Sequence, residues 1–566
     1  MKRFFFSAVS ALLLMIHPDM QSCTNLLVSP GASLYGSSMI TYAADAHVLY
    51  GELYFRPAAF YPEGTILSIY EWDTNKFLGQ IAQVRHTFSV VGNMNEHQVA
   101  IGETTYGGRG ELRDTTGIID YGSLIYITLQ RAKTAREAIQ IMGELVKEYG
   151  YYSSGESFSI SDPNEVWIME LIGKGTEMVT KGKGAKAVTY NKNKGAVWVA
   201  VRIPDGYVSG HANQARIQQF PLDDHENCLY APDVISFARE KGWFDGKDEE
   251  FSFSDTYAPV DFGGARYCDL RVWAFFNKVS DDMDQYFEYA TGHNLSQRMP
   301  LYIKPNRKIS NYDLMNFMRD HLEGTELDMS KDVGAGPFGL PYRWRPMTWE
   351  VDGKTYCNER TTATQQTGFS FVAESRKDMP DIIGGIFWFG VDDMAATVYV
   401  PMYCGITTVP ETYAVGNGDL LTYSETSAFW TFAFVSNFAY LRYSDMMVDV
   451  RKEQDALEKG FIEKVKDIDQ KAMQVYEEDP EKARAFLTNF SVDAGNHTVA
   501  VWKELGHYLL VKYIDGNIKR EKNGQFLRND YGYPAGPMQP GYSEEWKRNV
   551  VKDAGDKLLV PGEGGH

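Results

Sequence analysis

The sequence is poor in the residues that mark disulfide frameworks and metal centres. Its 566 residues include 5 cysteines and 11 histidines, without a CxxC pair or two histidines at metal-ligand spacing. HExxH, GxSxG and Walker motifs are absent as well. These absences exclude a disulfide scaffold and argue against zinc-hydrolase, α/β-hydrolase and nucleotide-binding functions. We therefore expect no metal and no other cofactor.

Positive charge and long apolar runs are also scarce. Lys and Arg number 56 against 75 Asp and Glu, so the formal net charge is −19. An acidic surface repels phosphate backbones and anionic lipid, which argues against nucleic-acid and membrane-surface partners. No uninterrupted apolar run reaches the roughly 18 residues of a membrane-spanning helix, so we expect no stable membrane insertion.

Aromatic residues and glycine are plentiful. Aromatics make up 14% of the chain, and there are 51 glycines. This composition favours a strand-rich core with many tight turns. A chain of 566 residues exceeds the usual size of one compact unit, so we expect a large core with an additional segment.

The N-terminus has the layout of a secretory signal peptide. Lys2 and Arg3 precede an apolar stretch over residues 4–16, which His17 and Pro18 end. A basic start, a short apolar stretch and a polar end are typical of an export signal. We predict a signal peptide over residues 1–22 and a mature protein that is periplasmic or extracellular.

Cys23 is the first residue after this predicted signal. Removal of the signal would make it the N-terminus of the mature chain, which leaves two functional interpretations open. Cys23 could carry lipid, as in bacterial lipoproteins, although Gln21 departs from the small apolar pattern expected before such a cysteine. Alternatively, its thiol is a nucleophile and its own α-amine is the base. The two exclude each other, because lipid attachment consumes the thiol.

Local patterns predict the elements around this cysteine. Thr134 and Glu137 form a capping box for a helix that extends to Tyr149. Charged residues at helical spacing predict further helices over 445–479 and 492–513. The predicted strands, which pair as hairpins except for 99–106, cover residues 24–28 with 38–42, 99–106, 157–161 with 166–171, and 186–190 with 196–203. The composition divides the chain into a main unit over 23–440, a helical segment over 441–530 and an irregular tail over 531–566.

Several blocks resemble the N-terminal-nucleophile cysteine dipeptidases, which include dipeptidase A and are remotely similar to penicillin V acylase and bile-salt hydrolase. The resemblance covers roughly residues 23–440 and implies an α+β fold, the αββα four-layer sandwich of Ntn hydrolases, with the helical segment as a C-terminal addition. The blocks are CTNLLV at 23–28, GSSMITYAADAH at 36–47, LYGELY at 49–54, MNEHQVAIGETT at 94–105, GHANQARI at 210–217 and LRVW at 270–273.

The resemblance assigns roles to particular residues. It implies that Cys23 is the nucleophile and that Asp45 orients the nucleophile's amine. Asn213 matches a side-chain amide that faces the oxyanion. Arg271 matches an active-site arginine of the family, with Arg266 as a close rival. The tetrahedral oxyanion formed during acyl transfer needs such a preorganised donor.

Two positions depart from the family pattern. The remoter acylases carry an arginine three residues before the aspartate, where this chain has Tyr42. That arginine is therefore absent or relocated. Thr105 stands where the acylases have a second oxyanion-side asparagine, so this role falls either to Thr105 or to a backbone N–H.

These features predict an exported cysteine-type dipeptidase that acts on short peptides. An acylase for bile-salt-like or penicillin-like amides and a lipid-anchored surface binding protein are the alternatives, and a homo-oligomer stays open. A dipeptide carries an amine and a carboxylate that need partners of opposite charge, whereas an acylase pocket should be apolar. Candidates for the dipeptide partners are Glu103, Arg109 and Arg216.

Overall fold

Two large antiparallel sheets with helices packed on them make up most of the protein. The structure, a computed structural model, describes residues 22–562. Strands and helices are mixed along the chain in an α+β arrangement, as predicted. The predicted signal peptide lies outside the described residues, apart from Ser22.

The strands vary from short two-residue pairs to buried strands of nine residues. Within residues 22–562 they are β1 Asn25–Val28, β2 Ser38–Asp45, β3 Phe55–Arg56, β4 Ala59–Phe60, β5 Ile66–Tyr70, β6 Phe77–Ala82, β7 His86–Thr87, β8 Val90–Val91, β9 Met94–Asn95, β10 Ala100–Gly107, β11 Gly155–Ser161, β12 Val166–Gly173, β13 Met178–Lys181, β14 Val188–Asn191, β15 Ala196–Arg202, β16 Val208–His211, β17 Cys228–Tyr230, β18 Tyr302–Ile303, β19 Thr348–Val351, β20 Lys354–Cys357, β21 Thr367–Ser375, β22 Gly385–Val391, β23 Val400–Tyr403, β24 Glu521–Lys522 and β25 Gln525–Phe526.

The α-helices include two long ones near the C-terminus. In the same range they are α1 Tyr121–Leu129, α2 Ala135–Tyr149, α3 Val234–Glu240, α4 Phe253–Tyr257, α5 Leu270–Val279, α6 Phe287–Ala290, α7 Asn311–Phe317, α8 Asp381–Gly384, α9 Ala428–Ala439, α10 Tyr443–Glu478, α11 Pro480–Tyr513 and α12 Glu544–Ala554. A π-helical turn, Gly264–Asp269, leads directly into α5.

The two sheets lie face to face. The first has seven strands in the order β18-β16-β1-β2-β21-β22-β23, and the second has eight in the order β17-β15-β12-β11-β10-β9-β8-β3. Strand β2 of the first sheet contacts β10, β11 and β12 of the second. Strands covered on both faces need no polar side, so β2, β12, β21 and β22 are buried along their whole length.

Helices pack against both sheets. Helix α2 contacts β11, β12 and β15 of the eight-stranded sheet, and α9 and α11 contact β22 and β23 of the seven-stranded sheet. Helix α10 packs beside α11, and both contribute buried residues to the core that also contains Cys23. The predicted helical C-terminal segment is therefore an outer layer on the seven-stranded sheet.

Most of the predicted local elements are confirmed. The first hairpin pairs β1 with β2, and β11 pairs with β12 as the predicted second hairpin. Helix α2 begins after Thr134, whose side chain accepts a hydrogen bond from the backbone N–H of Glu137. Helices α10 and α11 extend the two predicted C-terminal helices, and Pro480 begins α11 at a position where its missing N–H costs nothing.

The predicted hairpin over 186–190 and 196–203 is wrong. Strand β14 pairs with β13, whereas β15 pairs with β12 and β17. The Asn191 side chain, at the end of β14, binds the segment before β13. Its amide donates to the carbonyl of Gly175, and its oxygen accepts from the backbone N–H of Glu177. Strand β15 is apolar and mostly buried, so it takes an inner position in the large sheet, while β14 is largely exposed.

The predicted irregular tail also contains a helix. Residues 530–566 are rich in glycine and proline, yet α12 forms at Glu544–Ala554. Ser543 caps this helix by accepting from the backbone N–H of Trp546, and two acidic residues occupy its first turn. These capping residues are a local signal that the composition of the tail obscures.

Candidate active site

Cys23 lies at the start of the central hairpin of the seven-stranded sheet. The backbone N–H of Ser22 donates to the Asp45 carbonyl at 2.9 Å, and that of Thr24 donates to the Ala43 carbonyl at 3.3 Å. These bonds extend the β1–β2 pairing to both neighbours of Cys23. Because β1 is also paired with β16, Cys23 is held on a rigid strand, and only 2% of its surface is exposed.

A cavity of about 200 Å³ opens beside the Cys23 thiol. Aromatic side chains form much of its wall, and its charged lining residues, within residues 22–562, are all acidic. The aromatic members are Tyr42, Tyr50, Tyr54, Trp72, Tyr121 and Phe369, and the acidic members are Asp45, Glu52 and Asp73. Such a pocket suits a small ligand with apolar parts and a positive charge.

Asp45 and two arginines flank Cys23 on one side, which we call the arginine side (Asp45, Arg271 and Arg360). A buried ion pair joins Asp45 Oδ2 to Arg360 Nη2 at 2.6 Å, and Thr367 donates to Asp45 Oδ1 at 2.6 Å. Burial raises the pKa of Asp45, while Arg360 and Thr367 oppose that rise. Arg360 Nη2 also donates to the Ser22 carbonyl at 2.5 Å, so it contacts the residue before Cys23.

Arg271 links Cys23 to Asn213. Its Nη1 donates to the Cys23 carbonyl at 2.5 Å and its Nη2 donates to Asn213 Oδ1 at 2.9 Å. Burial, together with nearby Arg360, lowers the pKa of Arg271 to about 10, so its guanidinium is still charged at neutral pH. Asn213 follows β16 with a left-handed backbone, φ 63°, a conformation that asparagine tolerates better than most residues.

Thr105 meets this group through its backbone. Asn213 Nδ2 donates to the Thr105 carbonyl at 2.7 Å, whereas the Thr105 hydroxyl donates to Glu156 Oε1 at 2.8 Å. The structure therefore brings together all five residues predicted for the site. Asp45, Asn213 and Arg271 lie around the Cys23 backbone, whereas the side chain of Thr105 is bonded to Glu156.

A second group of side chains lies beside the Cys23 thiol, and we call it the carboxyl side (Tyr42, Glu103 and Glu156). Cys23 Sγ lies 3.8 Å from Glu103 Oε1 and 3.9 Å from the Tyr42 hydroxyl, and that hydroxyl donates to Glu103 Oε1. Burial raises the pKa of Glu103 to about 7 and also raises that of Glu156. Burial and the charges of Glu103 and Asp45 raise the pKa of the Cys23 thiol.

Three of the other candidate residues lie elsewhere. Arg266 forms an ion pair with Glu359 at 2.5 Å, so Arg271 rather than Arg266 contacts Cys23. Arg109 lies over the Trp243 ring, and Arg216 is buried against Asp269. Neither of these two arginines lines the cavity. Glu103 does contact the thiol, but it does not line the cavity.

The sequence gives no indication of several residues at this site. Arg360 follows an exposed hairpin, β19–β20, and lies 315 positions along the chain from Asp45. It supplies an arginine to Asp45, which is the partner missing at position 42. Glu52 and Asp73 belong to loops that only the fold brings to the cavity. Glu52 falls within a block that resembles the family, which is the one local signal for any of these residues.

The described chain offers neither an evident metal centre nor a membrane-spanning segment. In residues 22–562, no group of three or more His, Cys, Asp or Glu side chains could hold a metal ion. No helix in that range is both long enough and apolar enough to cross a membrane.

Known proteins resemble this chain over most of its length. The sequence model of peptidase family C69 matches residues 22–456. A probable dipeptidase of Salmonella dublin is 23% identical over 68% of this chain and 81% of its own length. One of Latilactobacillus sakei is 24% identical over 70% and 76%, and a probable dipeptidase B of Lactococcus lactis is 23% identical over 76% and 83%.

Proposed function

The chain belongs to peptidase family C69, and we propose that it is an exported dipeptidase whose nucleophile is the N-terminal Cys23 of the mature protein. The observation that carries this proposal is the position of Cys23. This residue lines the cavity, and its backbone contacts the arginine side. The relatives named as dipeptidases support the substrate class.

Removal of residues 1–22 creates the base in this mechanism. In the peptide bond after Ser22, the Cys23 nitrogen is an amide and has no basic lone pair. Hydrolysis of that bond converts it to an α-amine, which has an ordinary pKa of about 7.7–8.0. The new amine is left next to Asp45 and Arg360, because both contact Ser22 in the intact chain. Asp45 orients the amine, and the arginines offset the negative charge of the carboxylate.

The thiol then acts as the nucleophile. Its S–H bond breaks, the proton passes to the α-amine directly or through one water, and the thiolate attacks the scissile carbonyl carbon. Asn213 donates a hydrogen bond to the oxyanion, and loss of one such donor typically costs about 2.7–4 kcal/mol of activation free energy. The α-ammonium returns its proton to the departing amine as the C–N bond breaks. Water then hydrolyses the thioester and restores the thiol.

The acidic lining of the cavity supports a peptide substrate over an acylase substrate. In a dipeptide, the acyl group that reaches the thiol carries a free ammonium, which requires a negative partner when it is desolvated. Glu52 and Asp73 provide that charge, and the aromatic wall accommodates an apolar side chain. A bile-salt or penicillin acyl group has no cation to pair with these carboxylates.

The burial of Cys23 also supports the enzyme over a lipid-anchored binding protein. A lipidated cysteine has to project its acyl chains away from the protein, whereas this thiol is 2% exposed and enclosed by Tyr42 and Glu103. For the fold we propose the αββα sandwich of Ntn hydrolases, which agrees with helices packed on two stacked sheets. The apolar N-terminal segment supports export.

The proposal is tested by comparing the chain that starts at Cys23 with a chain that retains residues 1–22 and resists processing. We expect dipeptide hydrolysis only from the former, with Cys23→Ala inactive and Cys23→Ser far weaker, because a hydroxyl is the poorer nucleophile near neutral pH. Intact mass and N-terminal sequencing identify each form. Full hydrolysis by the unprocessed chain would contradict the amine-base mechanism.

A second comparison separates peptidase from acylase. Acetylation of a dipeptide's N-terminus removes its ammonium and should lower kcat/KM about tenfold to a hundredfold, or roughly 1.4–2.7 kcal/mol. Penicillin V and a bile-salt conjugate serve as acylase substrates in the same assay. If any of these three is cleaved as well as the free dipeptide, the acylase alternative replaces the dipeptidase.

A further inference from the structure

Two buried carboxyl groups lie in contact beside the Cys23 thiol, without a positive partner. Glu103 and Glu156 are 0% and 1% exposed and are within hydrogen-bonding reach of each other. The Oε2 atom of each carboxyl has no hydrogen-bond partner. In residues 22–562, no Lys, Arg or His side chain forms an ion pair with either one, whereas Asp45, beside the Cys23 backbone, is paired with Arg360.

Such an arrangement is stable only if the two carboxyls share a proton. Two ionised carboxylates in contact, removed from water, repel each other strongly, so one must stay protonated and donate to the other. Burial raises the pKa of both carboxyls. Glu103 is the member that contacts the Cys23 thiol, so its ionisation near neutral pH places a charge against the sulfur.

We propose that the Glu103–Glu156 pair sets the pH range in which the Cys23 thiol ionises, a role that rests on the proposed function of Cys23 as nucleophile. The geometry that carries this inference is the 3.8 Å approach of Glu103 Oε1 to Cys23 Sγ, with Tyr42 bonded to the same oxygen. While both carboxyls are protonated, the thiolate forms next to an uncharged acid and the Tyr42 hydroxyl. Once Glu103 ionises, a second negative charge faces the sulfur.

One proton moves when the thiol ionises, and it passes from the thiol to the α-amine. The S–H bond of Cys23 breaks and an N–H bond forms on its α-amine, while the carboxyl pair keeps its own proton. Its charge changes only the free energy of the thiolate. The other titratable or charged groups near this cluster include Asp45 and Arg271 at Cys23, and Asp73, Tyr106, Tyr121 and Tyr151 near the two carboxyls.

The test measures the thiol itself in the mature chain. Cys23 is alkylated with iodoacetamide between pH 5 and 10, and peptide mass mapping separates it from the other four cysteines. Glu103→Gln keeps the size of the side chain but removes its charge. We expect the pH midpoint of alkylation to fall by about one unit, which gives a rate about tenfold higher at pH 7.5 than in the wild type.

Glu156→Gln should act differently on the same midpoint. Its amide donates permanently to Glu103 and so favours the ionised Glu103, which should leave the midpoint at or above the wild-type value. If the two glutamates had only a structural role, the two variants would not shift the alkylation midpoint differently. Glu170→Gln is the matched control, because Glu170 is also fully buried with a pKa raised to about 7 but is bound to the backbone N–H groups of Arg216 and Ile217.

The outcomes separate this inference from the proposed function. An unchanged midpoint in Glu103→Gln, or a higher one, overturns the inference, since the carboxyl then either does not act on the thiol or accepts its proton. Equal shifts in Glu170→Gln also overturn it. The proposed function fails by another readout, namely turnover that persists in Cys23→Ala. If Glu103→Gln does not fold, the midpoint of Glu156→Gln decides, because a fall there contradicts the inference.

Discussion

The two sides of Cys23 accommodate buried acidic groups in opposite ways. On the arginine side, Asp45 is bonded to Arg360, and Arg271 contacts the Cys23 carbonyl. On the carboxyl side, Glu103 contacts the thiol, the Tyr42 hydroxyl and a second carboxyl. An ion pair keeps a buried carboxylate charged, whereas a pair of acids must keep a proton. The first side is thus suited to hold an amine, and the second to titrate next to a thiol.

The largest effect is expected from breaking the arginine side. Arg360→Ala leaves Asp45 buried without its cation, which should lower the free energy of unfolding by about 3–5 kcal/mol. We also expect kcat/KM for a dipeptide to fall at least tenfold in the folded fraction, with partial recovery in Arg360→Lys. Urea unfolding and steady-state kinetics measure the two effects.

The control for that experiment is another buried ion pair. Arg319 and Glu458 are 7% and 0% exposed in their side chains, and neither lines the cavity. Arg319→Ala should lose comparable stability while the folded fraction retains its kcat/KM. If both variants reduce kcat/KM equally per folded molecule, Arg360 is only a structural residue.

A smaller effect concerns the pH dependence of stability on the carboxyl side. The pKa of Glu103 is raised from 4.5 to about 7, so the native state binds more protons than the unfolded state between these values. The free energy of unfolding therefore falls as pH rises. The contribution is full below pH 4.5 and is lost by about pH 7, and it amounts to about 3 kcal/mol. In Glu103→Gln the fall between pH 4.5 and 7 should be shallower by that amount.

Urea unfolding at several pH values between 4.5 and 7.5 measures this slope. Glu144 lies on the exposed face of α2, so Glu144→Gln is the surface control and should keep the wild-type slope. A slope in Glu103→Gln that matches the control would mean that the carboxyl side is charged throughout this range, like the arginine side.

The smallest effect is expected at the mouth of the cavity. Asp73 accepts a hydrogen bond from Tyr121 at 2.7 Å, and its charge raises the pKa of both Glu103 and Glu156. Asp73→Asn removes one of the two carboxylates proposed to pair with the substrate's ammonium. We expect kcat/KM for a free dipeptide to fall about threefold to tenfold, or roughly 0.6–1.4 kcal/mol, with little change for the N-acetylated one.

The control for Asp73 is Glu111→Gln, which removes an exposed carboxylate outside the cavity lining. It should leave the ratio of kcat/KM for free and acetylated dipeptides unchanged. If Asp73→Asn lowers kcat/KM equally for both substrates, Asp73 supports the pocket but does not pair with the substrate's ammonium.

The sequence pattern alone predicted those elements whose start or turn is marked by their own residues. The Thr134 and Glu137 cap marks the start of α2, and the turn between β11 and β12 follows from Asp162-Pro163-Asn164. The pattern failed where strands that follow each other along the chain pair with other strands, as β14 does with β13 and β15 with β12, since pairing depends on burial in the sheet. It also failed in the tail, where a short capped helix lies within a glycine- and proline-rich composition.

By itself, the sequence determined which reactive residues the site contains. It supplied a cysteine after an apolar N-terminal segment, an aspartate at the end of the paired strand, and an amide and an arginine in separate blocks that match the family. Only the tertiary structure decided which charges meet there. Arg360 reaches Asp45 across 315 positions of chain, and Glu156 reaches Glu103 because β10 and β11 are neighbours. Electrostatic interactions depend on distance and burial in space, and neither quantity can be read from spacing along the chain.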